Sequence, residues 1–154
     1  MKKLVYLLVI GAAGYFLFPY IEPLIFNFLP QEIRRKVFSV EVPKSFRGRY
    51  AEDLKVNENW KWQYGLNLHS KAIMAASNQR VMELKAVEMR FPVMDRVDAA
   101  KVELVAKGKN YIVLEYYDHR MKQMNRRRLE RDDGGVWVIY EEPRQTRQRY
   151  FRPI

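Results

Sequence analysis

Between Lys3 and Glu22 the chain runs LVYLLVIGAAGYFLFPYI, eighteen positions without a charge. At about 1.5 Å of rise per residue, such a helix is about 27 Å long, just enough to cross the hydrocarbon core of a bilayer. Lys2 and Lys3 precede the run, and Tyr15, Phe16 and Tyr20 lie towards its far end, where aromatic rings anchor at an interface. The pattern predicts a transmembrane anchor over residues 1–21. A cleaved signal peptide shares the basic start, and Gly11-Ala12-Ala13-Gly14 offers small residues for cleavage. Cleavage there leaves a short apolar core and a mature end beginning GYFLF, so the uncleaved anchor fits better.

The next stretch, EPLIFNFL over residues 22–29, stays largely apolar, and Pro23 is expected to break the helix. Residues 22–44 then read as a juxtamembrane interfacial segment and linker. QEIRRK over residues 31–36 carries positive charge suited to phosphates. The two lysines before the anchor favour the domain on the extracytoplasmic side, while Arg34, Arg35 and Lys36 oppose that assignment.

From residue 45 to 142 strand signals dominate. Val102, Leu104 and Ala106 alternate with Glu103, Val105 and Lys107, the turn Lys107-Gly108-Lys109-Asn110 follows, and YIVLEYY over 111–117 is β-branched and aromatic. That is a hairpin. Asp132-Asp133-Gly134-Gly135 is a second strong turn, followed by VWVIY. Asp118-His119 is a third turn, which makes residues 121–131 a strand. QRVMELKAVEMRF over 79–91 has apolar positions that scatter round a helical wheel. As a strand it slips phase once, as a bulge would cause. Further short runs open at Ser45, at Trp60 and at Ala72. The spacing of seven or eight short strands predicts a mainly β domain, an antiparallel meander forming a small barrel or sandwich. Residues 143–154 are left as a basic tail.

Phe46-Arg47-Gly48-Arg49-Tyr50, followed by a meander that ends on a Gly-Gly hairpin with Trp137, resembles the lipocalin-like small barrels. Their first strand opens on Gly-x-Trp, where this chain has Gly48-x-Tyr50. The resemblance implies a barrel with a cavity for a small apolar molecule.

A formal net charge of +10 and a pI near 9.8 direct attention to anionic partners. The strongest basic signal is Arg126, Arg127, Arg128 and Arg131, with Arg144, Arg147, Arg149 and Arg152 in the tail. These are candidates for an anionic surface, either headgroups or an acidic protein. On a strand Arg126 and Arg128 share one face and Arg127 takes the other. Trp60, Trp62 and Tyr64 share one face if extended, either as a barrel wall or as a stacking platform for bases.

The chain has no cysteine and two histidines, His69 and His119, which removes Cys-based chemistry and any His-rich metal centre. The acid pairs Glu52-Asp53, Asp132-Asp133 and Glu141-Glu142 are sequence neighbours. On strands neighbours point to opposite faces, which makes poor acid/base dyads. No GxSxG, HExxH or phosphate-loop motif occurs. No cofactor is implied. The sequence therefore favours a non-enzymatic, membrane-anchored accessory or binding protein of the cell envelope, docking a partner protein or a small apolar ligand beside the bilayer. The alternative is a membrane-tethered domain that faces the cytoplasm and binds nucleic acid.

Overall fold

The computed structural model describes residues 2–53, 56, 80–93, 96–119, 122–142 and 145–154. Among them, eight antiparallel strands close into a barrel in chain order. They are β1 (Gly48–Glu52), β2 (Val81–Leu84), β3 (Glu88–Val93), β4 (Arg96–Lys107), β5 (Tyr111–Asp118), β6 (Gln123–Arg131), β7 (Val136–Glu142) and β8 (Gln145–Pro153). Two helices, α1 (Lys2–Phe28) and α2 (Gln31–Val37), come first, and one 3-10 turn (Lys44–Phe46) leads into β1.

The barrel closes where β8 meets β1, with Tyr50 opposite Pro153, Ala51 opposite Arg152 and Glu52 opposite Phe151. Of the two architectures the sequence allows, the barrel is the one formed, and closure leaves no sheet edge between β1 and β8. The segment expected as a basic tail is therefore a barrel strand. Its inward alternation is obscured because Arg149 takes an inward position two residues before the buried Phe151.

The expected single bulged strand over 79–91 is two strands. Lys85, Ala86 and Val87 turn the chain, and Leu84 then pairs with Met89. The phase slip in the apolar pattern is that turn. The bulge lies elsewhere, in β4 between Leu104 and Ala106. The hairpin β4–β5, the turn after Asp118 and the Asp132–Gly135 turn stand where the sequence places them.

The core is the inner face of the barrel: Met82, Leu84, Met89, Val102, Leu104, Ile112, Leu114, Leu129, Val136, Val138 and Phe151 are buried. One end is closed by residues that precede the barrel, namely Phe26, Val42 and Phe46, with Tyr50 below them. Tyr50 stands where the lipocalin-like pattern has Trp, and its hydroxyl donates to the Phe46 carbonyl at 2.8 Å. Gly48 opens β1 at φ +152, a conformation that L side chains rarely adopt. At Gly135 a Cβ would stand 2.2 Å from the Phe151 carbonyl oxygen, so only glycine lets the β6–β7 turn approach β8 this closely.

Residues 22–44 were expected to lie along a membrane surface as a linker, and α1 was expected to end at Pro23. Instead α1 runs through Pro19 and Pro23 to Phe28. A proline inside a helix removes one backbone hydrogen bond. Here tertiary contacts hold the last turns: Phe26 is 0% exposed in the barrel core, and Glu22 forms an ion pair with Lys107. Arg34, itself buried, caps the helix end by donating to the carbonyls of Phe26 at 3.0 Å and Leu29 at 2.8 Å.

The same segment serves β4. That strand outruns β3, whose pairing ends at Glu88 opposite Lys101. Beyond that point the Leu104 amide donates to the Val40 carbonyl at 2.8 Å. The Lys107 backbone is met by the Asn27 side chain. Thus the strand's exposed edge is satisfied by the chain that comes before the barrel.

Among the described residues no helix is long and apolar enough to cross a membrane. In α1 the described side chains begin at Gly11, after the LVYLLVI run of residues 4–10. The spanning segment expected over residues 1–21 is thus not shown by the fold.

Candidate ligand site in the barrel interior

Strand alternation sends two kinds of residue inward. Towards the end closed by α1 they are aliphatic and aromatic. Towards the other end β5 and β6 bring Tyr116 opposite Asn125 and Leu114 opposite Arg127. Directly opposed residues share a face, so Arg127 lies on the inner face with Leu114. Its guanidinium stands 5.5 Å from the centre of the Tyr116 ring and donates to the Arg126 carbonyl at 3.0 Å. Arg149 lies opposite Val138 and is likewise inward.

Glu52 lies opposite Phe151 and is 6% exposed. Its carboxylate is 3.7 Å from an Arg149 terminal nitrogen, longer than a hydrogen bond between those atoms. The interior thus holds two arginines, a carboxylate, an amide and a phenol at one end and an apolar floor at the other.

The remaining arginines do other things. Arg126 and Arg128 face outward, paired with Glu115 at 2.8 Å and Glu130 at 2.7 Å. Arg128 also stacks 4.2 Å above the Tyr111 ring. Arg131 ends β6 and donates to the Ser45 carbonyl at the closed end. Arg152 pairs with Asp53 and lies over the Tyr150 ring. Arg147 has its backbone opposite Tyr140 in β8, and Arg144 lies outside the described residues. No single face gathers the described arginines. Trp60, Trp62, Tyr64 and His69 also lie outside the described residues.

The acid pairs separate as alternation requires: Glu52 goes to Arg149 inside the barrel and Asp53 to Arg152 outside. Asp132 is a turn residue. It accepts from the backbone of Gly134 and Gly135, both at 2.8 Å, and from the Tyr150 hydroxyl at 2.6 Å. That hydroxyl bond holds the Asp132 carboxyl below its ordinary range. Burial, followed by the same bond, pushes the Tyr150 phenol up to about 12. Burial also raises the Tyr50 phenol, against the opposing charge of Arg131. His119 is exposed in its turn, edge-on to the Tyr117 ring at 5.0 Å. Among the described residues no group of His, Asp and Glu is placed to hold a metal.

Alternation alone sets Arg127 on the face opposite Arg126 and Arg128, and its register against Leu114 makes that the inner face. The Glu52–Arg149 contact is not legible in the sequence, because it depends on β8 being a strand and on its register against β1. No family model matches this chain, and no similar curated protein is found. Among solved structures it is similar to As-p18, an extracellular fatty acid binding protein. The identity is 10% and the TM-score 0.48, over 73% of this chain and 98% of that one.

Proposed function

We propose that this protein is a membrane-anchored binding protein of the cell envelope, whose barrel takes a small amphipathic molecule with an acidic head. The division of the inner face carries this reading. Aliphatic and aromatic side chains fill the end next to α1, and Arg127 and Arg149 stand in the other half. An acidic head carries the charge opposite to Arg127 and Arg149, and a charge-assisted bond in a low-dielectric interior is a strong one.

The anchoring part rests on α1. Tyr15, Phe16, Leu17, Phe18, Tyr20, Leu24 and Phe28 are exposed, Phe28 to 88%. A helix that exposes so many large apolar groups marks a surface for lipid or for another protein. The uncharged residues 4–10 extend it to the length of a span. The domain then lies on the extracytoplasmic side, following Lys2 and Lys3.

The test is titration of the full chain, held in lipid nanodiscs, with a dansyl-labelled long-chain carboxylate. Saturable binding displaced by unlabelled carboxylate is expected. Arg127→Gln and Arg149→Gln should each weaken it about tenfold, the worth of one charged hydrogen bond. A signal that only tracks partition into the lipid, alike in both variants, rejects the interior site.

A further inference from the structure

Outside the barrel, in the elbow where α1 turns into α2, lies a groove of about 540 Å³. Leu29 and Pro30 of the elbow and Val105 and Val113 of β4 and β5 give it an apolar side, while Asn27, Gln31 and Arg34 on the helices and Arg126 and Arg128 of β6 make the rest polar and basic. No acidic residue lines it among the described residues. The two arginines are one strand repeat apart, about 7 Å. Each engages its glutamate through Nε. Their terminal nitrogens, the part of a guanidinium best shaped for a phosphate, have no hydrogen-bond partner among the described residues.

The position of the groove selects its occupant. Asn27 at the groove stands six positions after Ile21, the end of the uncharged run. In a helix that is about 9 Å, close to the depth of the headgroup layer beyond the hydrocarbon. The surface around the elbow agrees. Phe28 is exposed, and so are Ile33 and Val37, which stand one turn apart on the same face of α2, with Arg35 and Lys36 between them. Apolar side chains beside cations are the composition of a surface that lies in the interface.

We propose that this groove is a binding site for one anionic phospholipid, its phosphate held by Arg126 and Arg128 and the start of its acyl chains on Leu29 and Val113. The proposal rests on α1 being anchored in a bilayer.

The experiment uses the full chain in nanodiscs of phosphatidylcholine with a minor share of phosphatidylglycerol. The protein is released gently and its retained lipids are counted by native mass spectrometry. The expected result is one phosphatidylglycerol per chain, enriched about tenfold or more over its bulk share. The double variant R126Q/R128Q should return retention to the bulk ratio. Val113→Trp, which fills the floor and keeps both arginines, should do the same, while Arg152→Gln, away from the groove, should leave it intact. Bulk-ratio retention by the unaltered chain, or enrichment that survives both R126Q/R128Q and Val113→Trp, overturns the site and leaves the anchor standing. Failure of the chain to enter nanodiscs at all overturns anchor and groove together.

Discussion

Asn27 makes two hydrogen bonds to one backbone unit. Its amide nitrogen donates to the Lys107 carbonyl at 2.8 Å, and its amide oxygen accepts from the Lys107 N–H at 2.8 Å. The side chain does for the end of β4 what a neighbouring strand would do, and it does so from the last turns of α1. Asn27→Ala leaves both backbone groups half-buried without that partner. Unfolding free energy should fall by about 1–3 kcal/mol, and the Lys107 amide should exchange hydrogen faster than those of Leu104 and Ile112. Asn27→Asp keeps the acceptor but sets a carboxylate against a carbonyl, so it should be no better than alanine. Unchanged exchange at Lys107 in both variants would show that the contact does not hold α1 in place.

Phe26 provides a harsher test of the same attachment. It belongs to α1 by sequence and to the barrel core by packing, with the cations of Arg34 and Lys107 4.9 Å and 4.8 Å from its ring centre. Phe26→Ala should cost about 3–5 kcal/mol in denaturant unfolding of the whole chain, the range for a buried aromatic truncated in a core. Leu24→Ala, two residues away on the exposed side, should stay within about 0.5 kcal/mol. If the two variants unfold alike, α1 ends outside the core.

Glu103 supplies a pH signature. It lies opposite Glu115 on the outer face of β4–β5, and each carboxylate has an arginine, Arg35 for the first and Arg126 for the second. The hydrogen bond from Arg35 holds the Glu103 carboxyl below its ordinary value, and the bond from Gln31 adds to this. Both donors sit on α2. A depressed carboxylate contributes stability that is complete above the unfolded pKa, about 4.3, and is lost as pH falls through the lower folded value. Docking of α2 should therefore loosen only in acid below that point. Amide exchange in residues 31–37, followed against pH, should show the step, and Glu103→Gln should remove it. Arg35 is more than half exposed and screened by solvent, so the step should be small and should shrink further with salt.

How far these features can be read from the chain depends on whether apolar alternation survives in it. The β4–β5 hairpin is legible because Val102 and Leu104 alternate with charges and a Gly108 turn follows. β8 is illegible because Arg149 occupies an inward position next to Phe151, and an arginine inside a barrel erases the period-2 signal that would reveal it. The β2–β3 turn is hidden for the opposite reason: Ala86 and Val87 are apolar, so the turn has no glycine or proline to mark it. Pro23 signals a helix end that Phe26 and the Glu22–Lys107 pair override. The candidate site is half legible, since parity separates Arg127 from Arg126 and Arg128, whereas the choice of inner face and the meeting of Glu52 with Arg149 come only through strand register.

Tyr150 should be visible in an alkaline titration. Its phenol is buried, bonded to Asp132, and pushed up to about 12. A raised tyrosine contributes stability that is complete below the unfolded pKa near 10 and is lost as pH climbs through the folded value. Ultraviolet difference spectra of the folded chain should show the Tyr150 phenol ionising well after the exposed tyrosines, and Tyr150→Phe should delete that late step. The same substitution should let the Asp132 carboxyl rise towards its ordinary range, since the bond from Tyr150 is the largest cause of its depression. Loss of the late step in Tyr50→Phe instead would reassign it to the closed end.

If α1 anchors the chain as proposed, the side of the membrane on which the barrel stands decides whether it meets envelope molecules or cytoplasmic ones. The chain has no cysteine, so one introduced thiol reports without background. The tip of the β4–β5 hairpin is exposed, but Gly108 is the wrong position for it, because a Cβ there would lie 2.2 Å from the Tyr111 ring. Lys109 is exposed at the same tip and makes the better site. A membrane-impermeant thiol reagent should label Lys109→Cys in intact cells once any outer membrane is opened. That result sets Lys2 and Lys3 as the orienting charges. Labelling only after the inner membrane is broken makes Arg34, Arg35 and Lys36 the orienting charges, and moves an acidic cytoplasmic partner or nucleic acid ahead of the envelope reading.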